Sequence, residues 1–260
     1  MKTHRNRILG AVLGLGFAAS AVIGAPSAQA AEGTALPHQS WSFDGIFGSF
    51  DRAAMQRGLQ IYREVCAGCH GLKRIAFRNL TDLGYGEDEV KAFASEATIV
   101  DGPDDEGEMF EREGRPSDYF PSPFPNDKAA AAANGGATPP DLSLMAKARK
   151  GGPDYIYALL NGYDDPPADF ELMEGLNYNH YFPGNQIAMA APLDDDAVEY
   201  ADGTEASLDQ MSKDVANFLM WTAEPSLEVR KRTGVKVILF LIVLTALFYA
   251  VKRKIWSDLH

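Results

Sequence analysis

Apolar residues recur at helical spacing in three separate stretches and run almost unbroken in a fourth. Met55, Leu59, Tyr62 and Val65 lie three or four positions apart behind Asp51, a residue suited to cap a helix start, which predicts a helix over 52–65. Gly152-Pro153-Asp154 opens a second helix through Tyr155, Ile156, Leu159 and Leu160, and Asn161-Gly162 closes it. A third begins after Ser207, carries Met211, Val215, Phe218, Leu219 and Trp221, and stops before Pro225. The run from Val235 to Val251 is apolar on every face apart from Lys236 and Thr245. At about 1.5 Å per residue it just spans a hydrocarbon layer about 30 Å thick with a little accommodation at its ends. A buried core helix is the alternative, but Lys252-Arg253-Lys254 follow directly and Trp256 sits where an interfacial anchor belongs, so a transmembrane helix is expected over 235–251.

Between these stretches the pattern is short and broken. Brief helices are expected over 88–96, 129–133 and 144–149, and the aromatic segment Trp41–Gly48 is expected to lie as an extended arm against the domain. Tyr119-Phe120-Pro121-Ser122-Pro123-Phe124-Pro125 holds too many prolines for a helix or a central strand, and 163–184 reads as loop. From Asp101 to Glu113 seven acidic residues face Arg112 alone, the pattern of a solvated, mobile loop or of a docking surface for a basic partner. No alternating run is convincing as a strand. The expected fold is therefore mainly α: one domain of short helices and long loops, with one C-terminal transmembrane helix.

The N-terminus changes the compartment. Lys2, Arg5 and Arg7, the apolar stretch Ile8–Ile23 and the small-x-small Ala28-Gln29-Ala30 have the form of a cleaved export signal over residues 1–30. Residues 31–229 are then expected outside the cytoplasm, in a bacterial periplasm, with 252–260 as a cytoplasmic tail, a single-pass topology in the inner membrane. The formal charge of −12 conceals a division: residues 31–229 carry 35 acidic and 14 basic side chains, a net of −21, whereas the cations at 230–232, 236 and 252–254 flank the anchor, where lipid phosphates lie. Such a field disfavours nucleic acid and steers basic partners, although solubility explains acidity equally well.

The chemistry sits at Cys66-Ala67-Gly68-Cys69-His70. C-x-x-C-H is the spacing of c-type haem attachment, in which two thiols reach the vinyl groups of one porphyrin and the following imidazole faces the iron. Structural zinc needs four ligands, and no further Cys or nearby His completes a set; a thioredoxin-like dithiol has no use for His70 and no βαβ pattern surrounds it. One covalently bound haem c is expected, and it uses both cysteines, so no disulfide remains. A haem that only moves electrons needs a second strong axial ligand besides His70. Met55, Met145, Met211 and Met220 fall in expected helices as core fillers, while Met189 lies in an irregular, proline-stiffened segment able to present it to iron, with His180 as its rival. Another membrane-anchored electron-carrier cytochrome stays possible on these residues alone, as does a haem peroxidase or a haem sensor, each of the last two needing an open sixth position.

The ordered set Cys66–His70, Pro139-Pro140-Asp141-Leu142-Ser143, Lys147–Tyr155, Tyr181-Phe182-Pro183-Gly184 and Trp221-Thr222-Ala223-Glu224-Pro225 before a terminal span resembles the cytochrome c1 family over essentially the whole exported chain. The resemblance implies that Met189 is the sixth iron ligand and that Arg149 pairs with a haem propionate, while Asn134, Pro139, Pro140, Tyr155, Leu159, Leu160, Phe182 and Ile187 line the haem pocket. It implies membership of a dimeric ubiquinol:cytochrome c oxidoreductase beside cytochrome b, in a respiratory or photosynthetic chain. The electron would come from the Rieske iron–sulfur protein and leave to a basic cytochrome c. Some bacterial members carry an extra cysteine pair before the ligand methionine; this chain lacks it, so packing alone is expected to hold the loop before Met189.

Overall fold

The computed structural model describes residues 34–257. The export signal expected over residues 1–30 lies outside them, as do the last three residues of the expected tail. Helices dominate the described residues, as the pattern predicts.

Helix α1 (Arg52–Glu64) starts where Asp51 accepts a hydrogen bond from Ala54 N at 3.2 Å, satisfying one of the free N–H groups of the first turn. It buries Met55, Leu59, Ile61 and Tyr62. Its main partner is α6 (Leu208–Ala223), capped by Ser207 and buried along Met211, Val215, Phe218 and Trp221. The two backbones nearly touch at Gly58, where a Cβ would stand 2.3 Å from Asp214 O and 2.6 Å from Phe218 Cβ. Beside that crossing the Asp214 carboxylate, 1% exposed, accepts from Arg57 Nε at 2.8 Å and Nη2 at 2.9 Å. A two-pronged pair of this kind offsets the desolvation that a lone buried carboxylate would suffer.

Helix α2 (Glu87–Ser95), α3 (Asp127–Ala133), α4 (Met145–Ala148) and α5 (Pro153–Asn161) follow the expected order, with α5 packed on α6. The N-terminal arm packs as expected: Trp41, Phe43 and Phe50 are buried, and Trp41 Nε1 donates to Asp154 Oδ1 at 2.7 Å.

Two loop expectations are corrected. The acidic segment is a hairpin in which β1 (Thr98–Asp101) pairs antiparallel with β2 (Phe110–Glu113). Arg112 explains it, donating to Asp101 Oδ2 at 2.5 Å and to both oxygens of Asp118 at 2.6 and 3.0 Å, so one cation gathers two carboxylates of a strongly acidic segment. The second correction is a short antiparallel pair, β3 (Asn177–Tyr178), inside the expected loop 163–184, with β4 (Gln186–Ile187), in the irregular segment that follows it.

Helix α7 (Leu227–Trp256) is longer than the expected span. It starts early because Leu227 is buried on the domain and Glu228 accepts from Phe50 N at 2.9 Å. Thirty residues at about 1.5 Å each reach about 45 Å, enough to cross a bilayer with its headgroups. Among the described residues nothing buries its apolar window.

Candidate haem-attachment site

The last turn of α1 closes with Val65 N donating to Ile61 O at 2.9 Å, and the chain then tightens into a 3₁₀ turn over Cys66–Gly68. Cys69 N and His70 N both donate to Cys66 O, at 3.1 and 2.9 Å. The two thiols and the imidazole thus sit on a single turn held by a packed helix. Both thiols are free; Cys69 is exposed and Cys66 half-buried. Burial pushes the Cys66 thiol up to about 12, with Cys69 adding to the shift.

His70 is held from behind. Its Nδ1 lies 2.8 Å from Pro140 O, and because a carbonyl only accepts, Nδ1 carries the proton and Nε2 keeps its lone pair. The rigid Pro139-Pro140 pair leads into Asp141, whose Oδ2 accepts from Lys73 N at 2.8 Å, while Leu142 N donates to Gly71 O at 2.9 Å. A backbone carbonyl on the far nitrogen is the arrangement that orients a metal-bound imidazole and raises its basicity. The donor set fits a covalently attached haem: paired thiols on one turn, followed by a histidine with Nε2 available. Among the described residues no group of three His, Cys, Asp or Glu is placed to hold a bare metal ion, which disfavours the zinc alternative.

Met189 lies just beyond β4, half-buried, and its backbone is fixed from two sides. Its carbonyl accepts from Tyr163 Oη at 3.1 Å and from Asn177 Nδ2 at 3.3 Å. Burial raises the Tyr163 hydroxyl well above its ordinary range, so it remains a donor, and Tyr155 is its charged-state neighbour. Burial raises the Tyr155 pKa, and the neighbouring Arg149 guanidinium opposes that shift. The stretch 139–161 therefore reaches His70 through the Pro140 carbonyl, and Tyr163, just past α5, holds the Met189 carbonyl.

The loop before Met189 depends on more than packing, which corrects the sequence expectation. Asn179, fully buried, donates from Nδ2 to Leu159 O at 2.8 Å and accepts at Oδ1 from Tyr181 N at 3.0 Å and Phe182 N at 3.2 Å. Asn185 Nδ2 donates to His180 O at 3.0 Å and closes the turn. Side-chain amides thus tie the loop to the end of α5.

The remaining expected pocket residues divide. Tyr155 and Ile187 are buried, and Leu159, Leu160, Phe182 and Pro139 are partly buried. Pro139 and Cys69 line one cavity of about 210 Å³. Asn134 is occupied at the end of α3, donating to Ala130 O at 2.7 Å, and nothing in its contacts joins it to the Met189 loop. His180, the rival ligand, has Nε2 3.2 Å from Asp164 Oδ2. Sequence reasoning passed over Asn179, Asn177 and Tyr163. Their only signal was asparagine in an irregular segment, where its side chain commonly bonds backbone.

Sequence comparison shows the family. The Cytochrome C1 family model matches residues 41–259. Cytochrome c1 of Rhodospirillum rubrum is 52% identical over 265 aligned positions, covering 96% of this chain and 94% of that protein. The mitochondrial cytochrome c1 heme protein of Schizosaccharomyces pombe is 51% identical, covering 88% of this chain and 74% of its own length. Cytochrome b/c1 of Bradyrhizobium diazoefficiens is 53% identical over 86% of this chain, which spans only 36% of that longer protein.

Proposed function

Because the chain belongs to the cytochrome c1 family, we propose that Cys66, Cys69, His70 and Met189 hold the haem through which it passes electrons. The protein is a membrane-anchored c-type cytochrome with an electron-transfer role in a cytochrome b-c1 complex. When bound, the haem supplies a one-electron iron couple. The two thiols would hold it as thioethers, and His70 Nε2 and the Met189 thioether would ligate its iron. A soft thioether favours the ferrous state and raises the potential. Arg149, beside Tyr155, offers a guanidinium fork to a propionate. Tyr155, Ile187, Leu159, Leu160 and Phe182 exclude water from the site.

The electron enters from the Rieske iron–sulfur protein and leaves to a basic cytochrome c, with α7 beside cytochrome b in a dimeric complex. The haem domain, residues 31–229, faces the periplasm, and the tail after residue 251 lies in the cytoplasm. The negative charge of the haem domain and the cations flanking the apolar span support this orientation and acceptor.

The observation that carries the reading is the hydrogen bond from His70 Nδ1 to Pro140 O, which prepares Nε2 as a ligand. Met189→Leu in the purified, haem-loaded protein tests the other side of the iron: the potential should fall and the reduced protein should gain CO binding. An unchanged potential with no CO binding rejects Met189. Elution from mild detergent together with a b-type cytochrome and an iron–sulfur protein is required of the assembly.

A further inference from the structure

The turn Asp44–Gly48 takes no part in the haem site, yet it carries two of the most exposed large apolar side chains of the haem domain: Ile46 is 68% and Phe47 86% exposed. The turn is built, not slack. Asp44 N donates to Trp41 O and Ser49 N to Ser42 O, both at 3.0 Å, and Gly45 takes a φ of +67°. A Cβ on Gly48 would stand 2.0 Å from Asp44 O, so only glycine closes the turn. The buried rings of Trp41, Phe43 and Phe50 hold its base and leave Ile46 and Phe47 facing outward.

Isolated apolar residues on a surface are ordinary; the position of this pair is not. Phe50 N donates to Glu228 in the first turn of α7. Lys231 Nζ donates to Phe43 O and to Gly48 O, the latter at 3.3 Å. Both contacts tie the base of the turn to the first two turns of α7, just before the apolar run that begins at Val235. Val235 lies four residues past Lys231, about 6 Å along the axis. The headgroup layer on each side of a bilayer is about 5–8 Å thick. Arg230, Lys231 and Arg232 lie at that headgroup depth, and the base of the turn is fixed to the same level of α7 through Lys231.

We propose that the 44–48 turn is a second membrane contact, with Ile46 and Phe47 entering the interfacial edge of the bilayer beside α7. One helix alone lets the haem domain pivot about its base; a second, rigid contact at a different radius from the helix axis restricts its tilt. The partner is a lipid surface, and the proposal rests on α7 being the membrane anchor.

The test uses the full haem-loaded chain, alone and in its purified complex, in phosphatidylcholine vesicles doped with a lipid bearing a diazirine high on one acyl chain. After illumination, lipid adducts are mapped by mass spectrometry. Adducts are expected on the peptide containing Ile46 and Phe47 and on α7, but not on the peptide containing Val100, a residue of the hairpin that is also exposed. In I46S/F47S, whose positions face solvent, the turn adduct should be lost and the α7 adduct kept. Adducts confined to α7 overturn the proposal and leave the anchor standing; adducts on neither overturn both. A turn adduct seen in the isolated chain and lost in the complex shows that protein covers the tip, and also overturns it.

Discussion

Asn179→Ala isolates the amide network that holds the Met189 loop. The change removes three hydrogen bonds, leaving Leu159 O with only the longer bond from Gly162 N and leaving Tyr181 N and Phe182 N without their acceptor. These groups are partly buried, so each loss is placed near the low end of the penalty, about 1 kcal/mol, for a total of about 3 kcal/mol. For a domain of this size that corresponds to a drop in Tm of about 6–12 °C. Thermal unfolding of the haem-loaded chain in detergent, followed by the haem absorbance, measures it. Asn179→Asp sharpens the test: an ionised carboxylate accepts from the two N–H groups but repels Leu159 O, whereas a protonated one both accepts and donates. Asn179→Asp should therefore be destabilised at pH 7 and recover as the pH falls toward about 4. A Tm within about 2 °C of the parent for Asn179→Ala, or no pH-dependent recovery for Asn179→Asp, refutes the reasoning.

Gly58→Ala should cost about 2–3 kcal/mol, the upper part of the overpacking range, because the obstructing Asp214 oxygen is helix backbone and cannot swing aside; thermal unfolding checks this, and a neutral outcome would mean that α1 and α6 slide freely. The hydrogen bond from Arg112 holds the Asp118 carboxyl at about 2, below its ordinary value near about 3.9. The stability that pair contributes is present above about pH 4 and lost as the pH falls through about 2. Arg115 N–H, bonded to Asp118 at 2.7 Å, should lose its exchange protection over that interval, and constant protection would contradict the assignment. Association with a basic cytochrome c should slow by at least about ten-fold between ~0.01 and ~0.3 M salt, as measured by stopped-flow reduction. A rate indifferent to salt would remove the acidic surface from the docking account.

The helices were legible because each is written in neighbouring residues. Asp51 caps Ala54, Ser207 caps Gln210, and the apolar positions of α1 and α6 repeat every three or four residues whatever the partner. The acidic hairpin was not legible. Counting charge along 101–113 suggested repulsion, but Arg112 reaches Asp118 beyond the run, and Ile99 and Phe110 alternate too briefly to announce strands. The helix start nearest the domain was hidden for a related reason: hydropathy begins at Val235, whereas Leu227 and Glu228 extend the helix through contacts with the domain.

At the site, the two thiols, His70 and the anchor were determined by the sequence itself, because attachment chemistry needs fixed spacing within five residues and a membrane span needs one uninterrupted apolar run. The tertiary structure decided which groups support them. Pro140 O reaches His70 across 70 residues, Asn179 ties the Met189 loop to Leu159, and Lys231 clasps the 44–48 turn across more than 180. Each depends on one particular donor meeting one particular acceptor after the chain has folded back on itself. Local pattern holds no record of such a meeting, since the spacing of residues along the chain does not set their distance in space.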